Sequence, residues 1–226
     1  MPSKARAALD KNLKDVKALL DLHQEKGGNA PGRRYGLEVL TKSAIVLTTS
    51  YWEAYCEEIA EEGLELIVNH ASSSEKLPKE IKKLIAKELK SKADELAIWD
   101  IADEKWRSVL KDRLMQLQAN RNRKLNTPKY KNIDELFESA IGLSNVSEKW
   151  NWAKKLPPQK AREKLDRFVE IRGEIAHRGR AKSTVTKELA VDYLDFIKRA
   201  AGKTGGAVNQ HVLAITGHAL FEVKIP

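Results

Sequence analysis

Between Arg34 and Leu66 the chain carries Leu37, Leu40, Ala44, Ile45, Leu47, Trp52, Tyr55, Ile59 and Leu66 at helical spacings. The apolar surface they make is broader than the single stripe of a helix with one wet side. Such a helix has to be enclosed by others, which predicts an all-α bundle built around it. Helical periodicity continues on both sides. Leu9, Leu13, Val16 and Leu20 recur at four, three and four residues and predict a first helix over 4–25 that ends at the breaker-rich "GGNAPG". "HASSSEKLP" closes the central helix, and a third helix is predicted from Lys79 to Ala97, with lysines opposite its isoleucines and leucines. A fourth covers "IWDIADEKWRSVLKDRLMQLQ", whose acidic start suits the positive end of a helix dipole. After the basic loop "NRNRKLNTPKYK", a short helix stops at Gly142. The tryptophan-rich segment up to Pro157 reads as irregular. A helix then starts at Pro158, and a last one is capped by Thr186. The reading gives one helical domain over 1–202, with its core at about 33–200, and a glycine-rich irregular C-terminal tail over 203–226.

With 226 residues, 42% of them hydrophobic, the chain can bury a core without cross-links. Its single cysteine, Cys56, lies in an apolar run and reads as a small core residue in a reducing compartment. No signal-peptide-like apolar core opens the chain and no membrane-length apolar run occurs, so a cytoplasmic protein without membrane attachment is expected. The formal charge of +9 points to a polyanionic partner, with nucleic acid ahead of membrane. Phosphate-binding glycine loops, Cys-x-x-Cys and His-Glu-x-x-His are absent, so no cofactor and no metal are expected.

One segment carries chemistry. "DRFVEIRGEIAHRGR" places Arg172 and His177 near the end of a helix that Gly179 is suited to cap in the left-handed conformation. Five helical residues advance about 7.5 Å and turn about 140°, so the two converge only if the last turn loosens. An imidazole can move a proton near neutral pH, and a guanidinium can hold a phosphate through two hydrogen bonds and stabilise added charge on it. Together they suffice for metal-independent RNA cleavage: His177 serves the ribose 2′-hydroxyl or the leaving oxygen, and Arg172 the phosphorane. One site offers one histidine while the reaction is best served by both an acid and a base, and a two-fold homodimer with a composite site would supply both. Against this, an arginine and histidine at that spacing arise by chance in roughly a quarter of chains of this composition. A surface ion pair of Arg172 with Glu170 or Glu174, and a helix-end role for His177, is the simpler alternative.

The segment "EIRGEIAHRGR" resembles the Arg-x4-6-His signature of HEPN domains (higher eukaryotes and prokaryotes nucleotide-binding). "SAIVLTTSYWEAYCEEIAEEGL" and "NTPKYKNIDELFESAIGL" are similar to two further segments of the RiboL-PSP-associated branch, in the same order. The resemblance implies an α-helical, usually dimeric, metal-independent endoribonuclease of toxin-antitoxin, phage-defence or RNA-processing systems, with Arg172 and His177 catalytic. An antitoxin or another defence component is the protein partner such a setting implies. Many members have a polar residue after the arginine, where this chain has Gly173, and Glu174 is a candidate substitute for orienting the imidazole. An inactive RNA- or nucleotide-binding or dimerisation module is the alternative. Glu53 and Glu57 are candidates to anchor Arg172 through a buried ion pair. RNA contacts are expected at Arg178 and Arg180 beside the motif, then at Arg33, Arg34, Arg121, Arg123 and Lys124. Trp150 and Trp152 read as core or interface residues, and His23, His70, His211 and His218 as incidental.

Overall fold

The computed structural model describes residues 2–28, 36–91, 94, 96, 99, 101–102, 105–119, 125, 127–152 and 156–222. Seven α-helices and no strand occur among them: α1 (Lys4–Gly27), α2 (Glu38–His70), α3 (Lys79–Lys90), α4 (Trp106–Ala119), α5 (Tyr130–Ile141), α6 (Pro158–Arg178) and α7 (Lys187–Thr216). The predicted all-α bundle is the observed one, and α2 is its axis. It packs against α1, α4, α5, α6 and α7, which is why its apolar positions spread around the helix.

Local chemistry sets several ends. Ser3 caps α1 by accepting the Arg6 N–H, and Glu62 of α2 accepts those of Lys4 and Ala5. Gly142, at φ +72°, ends α5 in the left-handed region, close against Pro78. Thr186 caps α7 as predicted, with its hydroxyl accepting the Leu189 N–H at 3.2 Å.

Three expectations need correction. The third helix ends at Lys90 rather than Ala97, and α4 begins at Trp106, so the acidic residues of "IWDIADE" precede it. The third concerns the tail. α7 continues through "GKTGGAVNQHVLAIT" to Thr216, and residues 217–222 fold back so that Leu220 and Phe221 donate backbone N–H groups to Asn209 Oδ1. Of the glycines that look like helix breakers, Gly205 is a contact residue, since a Cβ on it would lie 2.7 Å from the Tyr55 hydroxyl, whereas one on Gly206 would meet nothing within 4 Å. Burial of Gly205 against α2 offsets its poor helix propensity.

The core runs along the α2–α7 seam. Trp52, Tyr55, Trp150 and Tyr193 are almost wholly buried. Trp52 meets Trp150 edge-on with centroids 6.0 Å apart, and Trp150 Nε1 donates to Thr204 Oγ1 at 2.9 Å. Trp150 is therefore a core residue, following a 3₁₀ turn at Val146–Lys149, and Trp152 packs on Phe196. Cys56 is buried as expected, and burial pushes its thiol pKa well up.

Candidate functional site

The motif helix α6 is fastened along its length before it delivers any chemistry. Near its start, Arg162 Nε donates to Ser147 Oγ at 2.7 Å, and the Ser147 hydroxyl and N–H both donate to the Asp134 carboxylate of α5. In the middle, Asp166 accepts the Tyr130 N–H at 3.0 Å and so caps α5. Leu165, Phe168, Arg172 and Ile175 follow one another at three, four and three residues, so Arg172 occupies a position of the buried stripe.

That position governs the arginine. Arg172 is half-buried, and its Nε has no hydrogen-bond partner. The simpler reading as a surface ion pair fails. Glu170 pairs with Lys129 at 2.7 Å, and Glu174 accepts the Lys182 N–H at 2.7 Å while its other oxygen lies 3.6 Å from Lys182 Nζ. A buried donor left unpaired costs about 1–3 kcal/mol.

Glu53 of α2 lies within electrostatic range of Arg172. Burial pushes its carboxyl pKa up to about 7, the Arg172 charge pulls it down, and Glu57 raises it again. No direct ion pair joins Glu53 to Arg172 among the described residues, so the expected buried salt bridge becomes a looser electrostatic pairing. Glu57 is buried nearby. Tyr193 of α7 is also close. Burial raises its pKa strongly and the Arg172 charge opposes the shift, while its hydroxyl lies 3.0 Å from Thr49 Oγ1 and its ring stacks on Phe168 at 4.0 Å.

His177 stands in the last turn and is exposed, with no hydrogen bond among the described residues. Gly179, at φ +67°, caps the helix as predicted, its N–H donating to Ile175 O at 2.9 Å. The helix is regular through Arg178, so the expected loosening does not occur. Within one chain the backbone therefore turns Arg172 inward and His177 outward.

The loop after α6 is fixed from three sides. Glu174 holds Lys182, Thr41 Oγ1 donates to Val185 O at 2.9 Å, and Lys42 Nζ donates to Gly179 O at 3.0 Å. Glu174 thus orients this loop, not the imidazole. Lys42 and Thr41 were not predicted, and nothing in their local sequence marks them, because their partners lie more than 130 residues away. Arg178 and Arg180 are exposed and, with Glu174, Ala181 and Lys182, line an open recess of about 360 Å³. A Cβ on Gly173 would touch nothing within 4 Å, so the site has room for the polar side chain it lacks there. Arg33, Arg34, Arg121, Arg123 and Lys124 lie outside the described residues. Of the other histidines, His211 bonds Ile141 O at 2.8 Å and His70 packs on His218. Among the described residues no three His, Cys, Asp or Glu side chains gather as a metal site, and no helix is long and apolar enough to cross a membrane.

An arginine whose Nε has no hydrogen bond and a histidine without one among the described residues, both in the last two turns of a capped bundle helix, coincide with a sequence match over residues 8–203 to the RiboL-PSP-HEPN family model. The chain belongs to the RiboL-PSP-HEPN family. No curated protein and no solved structure is significantly similar to it. The match takes in α2 to α6 entire, most of α1 and the first half of α7, so the HEPN unit includes every helix that holds the motif. As a HEPN domain the chain is of a kind associated with RNA cleavage and nucleotide binding.

Proposed function

We propose that this HEPN domain is a metal-independent endoribonuclease acting as a homodimer, with Arg172 and His177 as its catalytic residues. The observation that supports the reading is that, among the described residues, neither Arg172 Nε nor the His177 ring has a hydrogen bond, beside a basic loop held by Lys42, Thr41 and Glu174. His177 Nε2 or Nδ1, unprotonated, accepts the proton of a ribose 2′-hydroxyl, and the 2′-oxygen attacks the adjacent phosphorus. Arg172 donates hydrogen bonds to the non-bridging oxygens as charge builds on the phosphorane. The P–O5′ bond then breaks, and a protonated imidazole gives the leaving oxygen its proton. Products are a 2′,3′-cyclic phosphate and a 5′-hydroxyl. Two imidazoles in opposite protonation states perform this step better than one, and a second copy supplies the other together with its own arginine. The outward-facing His177 of a regular helix suits a cleft closed by a partner.

Arg178 and Arg180 bind flanking phosphates, as do Arg33, Arg34, Arg121, Arg123 and Lys124 in the basic loops. Glu53 and Glu57 position the Arg172 guanidinium. The setting is cytoplasmic, in toxin-antitoxin, phage-defence or RNA-processing systems, with an antitoxin or defence component as regulator. Gly173 favours a second reading, a domain that binds RNA without cutting it, because no side chain there steadies the imidazole.

Incubating labelled RNA with the protein in excess EDTA, beside His177→Ala and Arg172→Ala, tests the proposal. Cyclic phosphate ends from the wild type alone support it. Salt-sensitive binding without products supports the second reading, and activity from a strictly monomeric protein removes the composite site.

A further inference from the structure

The other strongly charged surface lies on α3. Its twelve residues hold five lysines against two glutamates. Ile81, Ile85 and Leu89 are buried in the core, while Lys79, Lys83, Lys87 and Lys90 are exposed. At about 100° per residue these four fall within a sector of about 80°, at steps of about 6, 6 and 4.5 Å along the axis. No carboxylate interrupts the sector. Glu80, at its edge, is 4.0 Å from Lys83, and Glu88, on another side, binds Arg113 at 2.6 Å. Lys79, Lys87 and Lys90 have no hydrogen bond or ion pair among the described residues.

From this we infer that the α3 lysine stripe is a second RNA surface, one that grips the phosphate backbone at a distance from the motif. The inference rests on the RNA-cleaving reading and specifies how that site's substrate is held. Evenly spaced point charges on a helix that contains no aromatic residue suit a backbone of one charge per nucleotide and read no sequence. A membrane-seeking helix would expose large apolar side chains beside its lysines, but Ile81, Ile85 and Leu89 of α3 are buried, Leu84 is partly buried outside the lysine sector, and only Ala86 stands among the lysines. The stripe also begins far from the motif. Pro78, just before α3, abuts Gly142 at the end of α5, and Ile141 there touches α2 at Gly63, whereas Lys42 of α2 meets the motif end. Lys42 and Gly63 are roughly 30 Å apart along the helix, about nine nucleotides of helical strand. An RNA reaching both surfaces is therefore long, and a tetranucleotide uses the motif end alone.

The test replaces Lys79, Lys83, Lys87 and Lys90 by Gln in the otherwise intact chain. Its control is the same replacement at Lys11, Lys14, Lys17 and Lys26, exposed lysines of α1, with circular dichroism showing that both fold. Binding of an RNA of about thirty nucleotides is followed against salt in EDTA, with His177→Ala added to prevent cutting. The expected result is an affinity loss of about tenfold or more, and a fall of about 3 in the slope of log K against log salt, for four contacts at about 0.7 each. With His177 present, tetranucleotide cleavage is expected to be unchanged. An unchanged slope, an equal effect from the α1 control, or lost binding to phosphatidylserine vesicles with RNA affinity retained overturns the inference. The two claims fail separately: stripe-dependent binding without products defeats only the cleavage reading, and EDTA-resistant cleavage indifferent to the stripe defeats only this one.

Discussion

The α2–α7 seam and the end of α6 share α2, yet they treat polar groups oppositely. Along the seam, the Trp150 indole finds Thr204, the Tyr55 hydroxyl donates to Ala201 O at 2.8 Å, and small residues bring the backbones close; the Trp52 indole N–H is its one orphan. At the end of α6, Lys42, Thr41 and Glu174 tie down the backbone, while the Arg172 Nε and the His177 ring have no hydrogen bond among the described residues. One region turns its groups into stability. The other holds a rigid frame around groups kept available, the arrangement expected where chemistry needs preorganised side chains.

Substitutions sharpen that contrast. The largest effect belongs to the motif: His177→Ala lowers the RNA cleavage rate about 10³-fold or more, with the thermal midpoint within a degree or two of wild type because the ring is exposed. A parallel loss of stability would place His177 on the structural side. Trp150→Ala does the opposite. Denaturant unfolding should record about 3–5 kcal/mol lost, while the protein that remains folded keeps its cleavage rate per molecule. Gly205→Ala costs about 1–3 kcal/mol, since the new Cβ displaces Tyr55 and strains its bond to Ala201. A neutral outcome would mean that the seam is looser than its contacts suggest.

The smallest effect is the most diagnostic for Arg172. Glu53 has a folded pKa of about 7, above its ordinary 4.5. For a raised carboxyl the stability contribution is complete below about pH 4.5 and is lost as pH climbs through about 7. Glu53→Gln removes that loss, so its advantage over wild type in urea unfolding should grow from nothing at acid pH to roughly 1–2 kcal/mol by about pH 8. A difference independent of pH would show that Glu53 does not titrate beside Arg172.

Much of the frame was legible because short-range chemistry decides it. Pro158 and Thr186 start helices and Gly142 and Gly179 end them through their own backbone preferences, whatever lies around them. Arg172 and His177 stand out by type and spacing, and the breadth of the α2 apolar surface declares a central helix. Less was legible where a residue's role depends on what faces it. Gly205 reads as a helix breaker until Tyr55 lies against it, and Glu174 reads as a partner for His177, three residues on, until the loop returns Lys182 to it.

The sequence by itself determined that the chain is helical, which helix is central and where the motif helix stops, and it singled out the two side chains proposed to carry chemistry. Each follows from intrinsic propensity or periodicity, which act within a few residues. Only the tertiary structure decided that Arg172 turns inward beside Glu53 with its Nε free of hydrogen bonds, that His177 turns outward, and that Lys42 fastens the helix end at Gly179. Burial and electrostatic environment come from packing elements far apart in the chain, and no local pattern encodes the distances on which they depend.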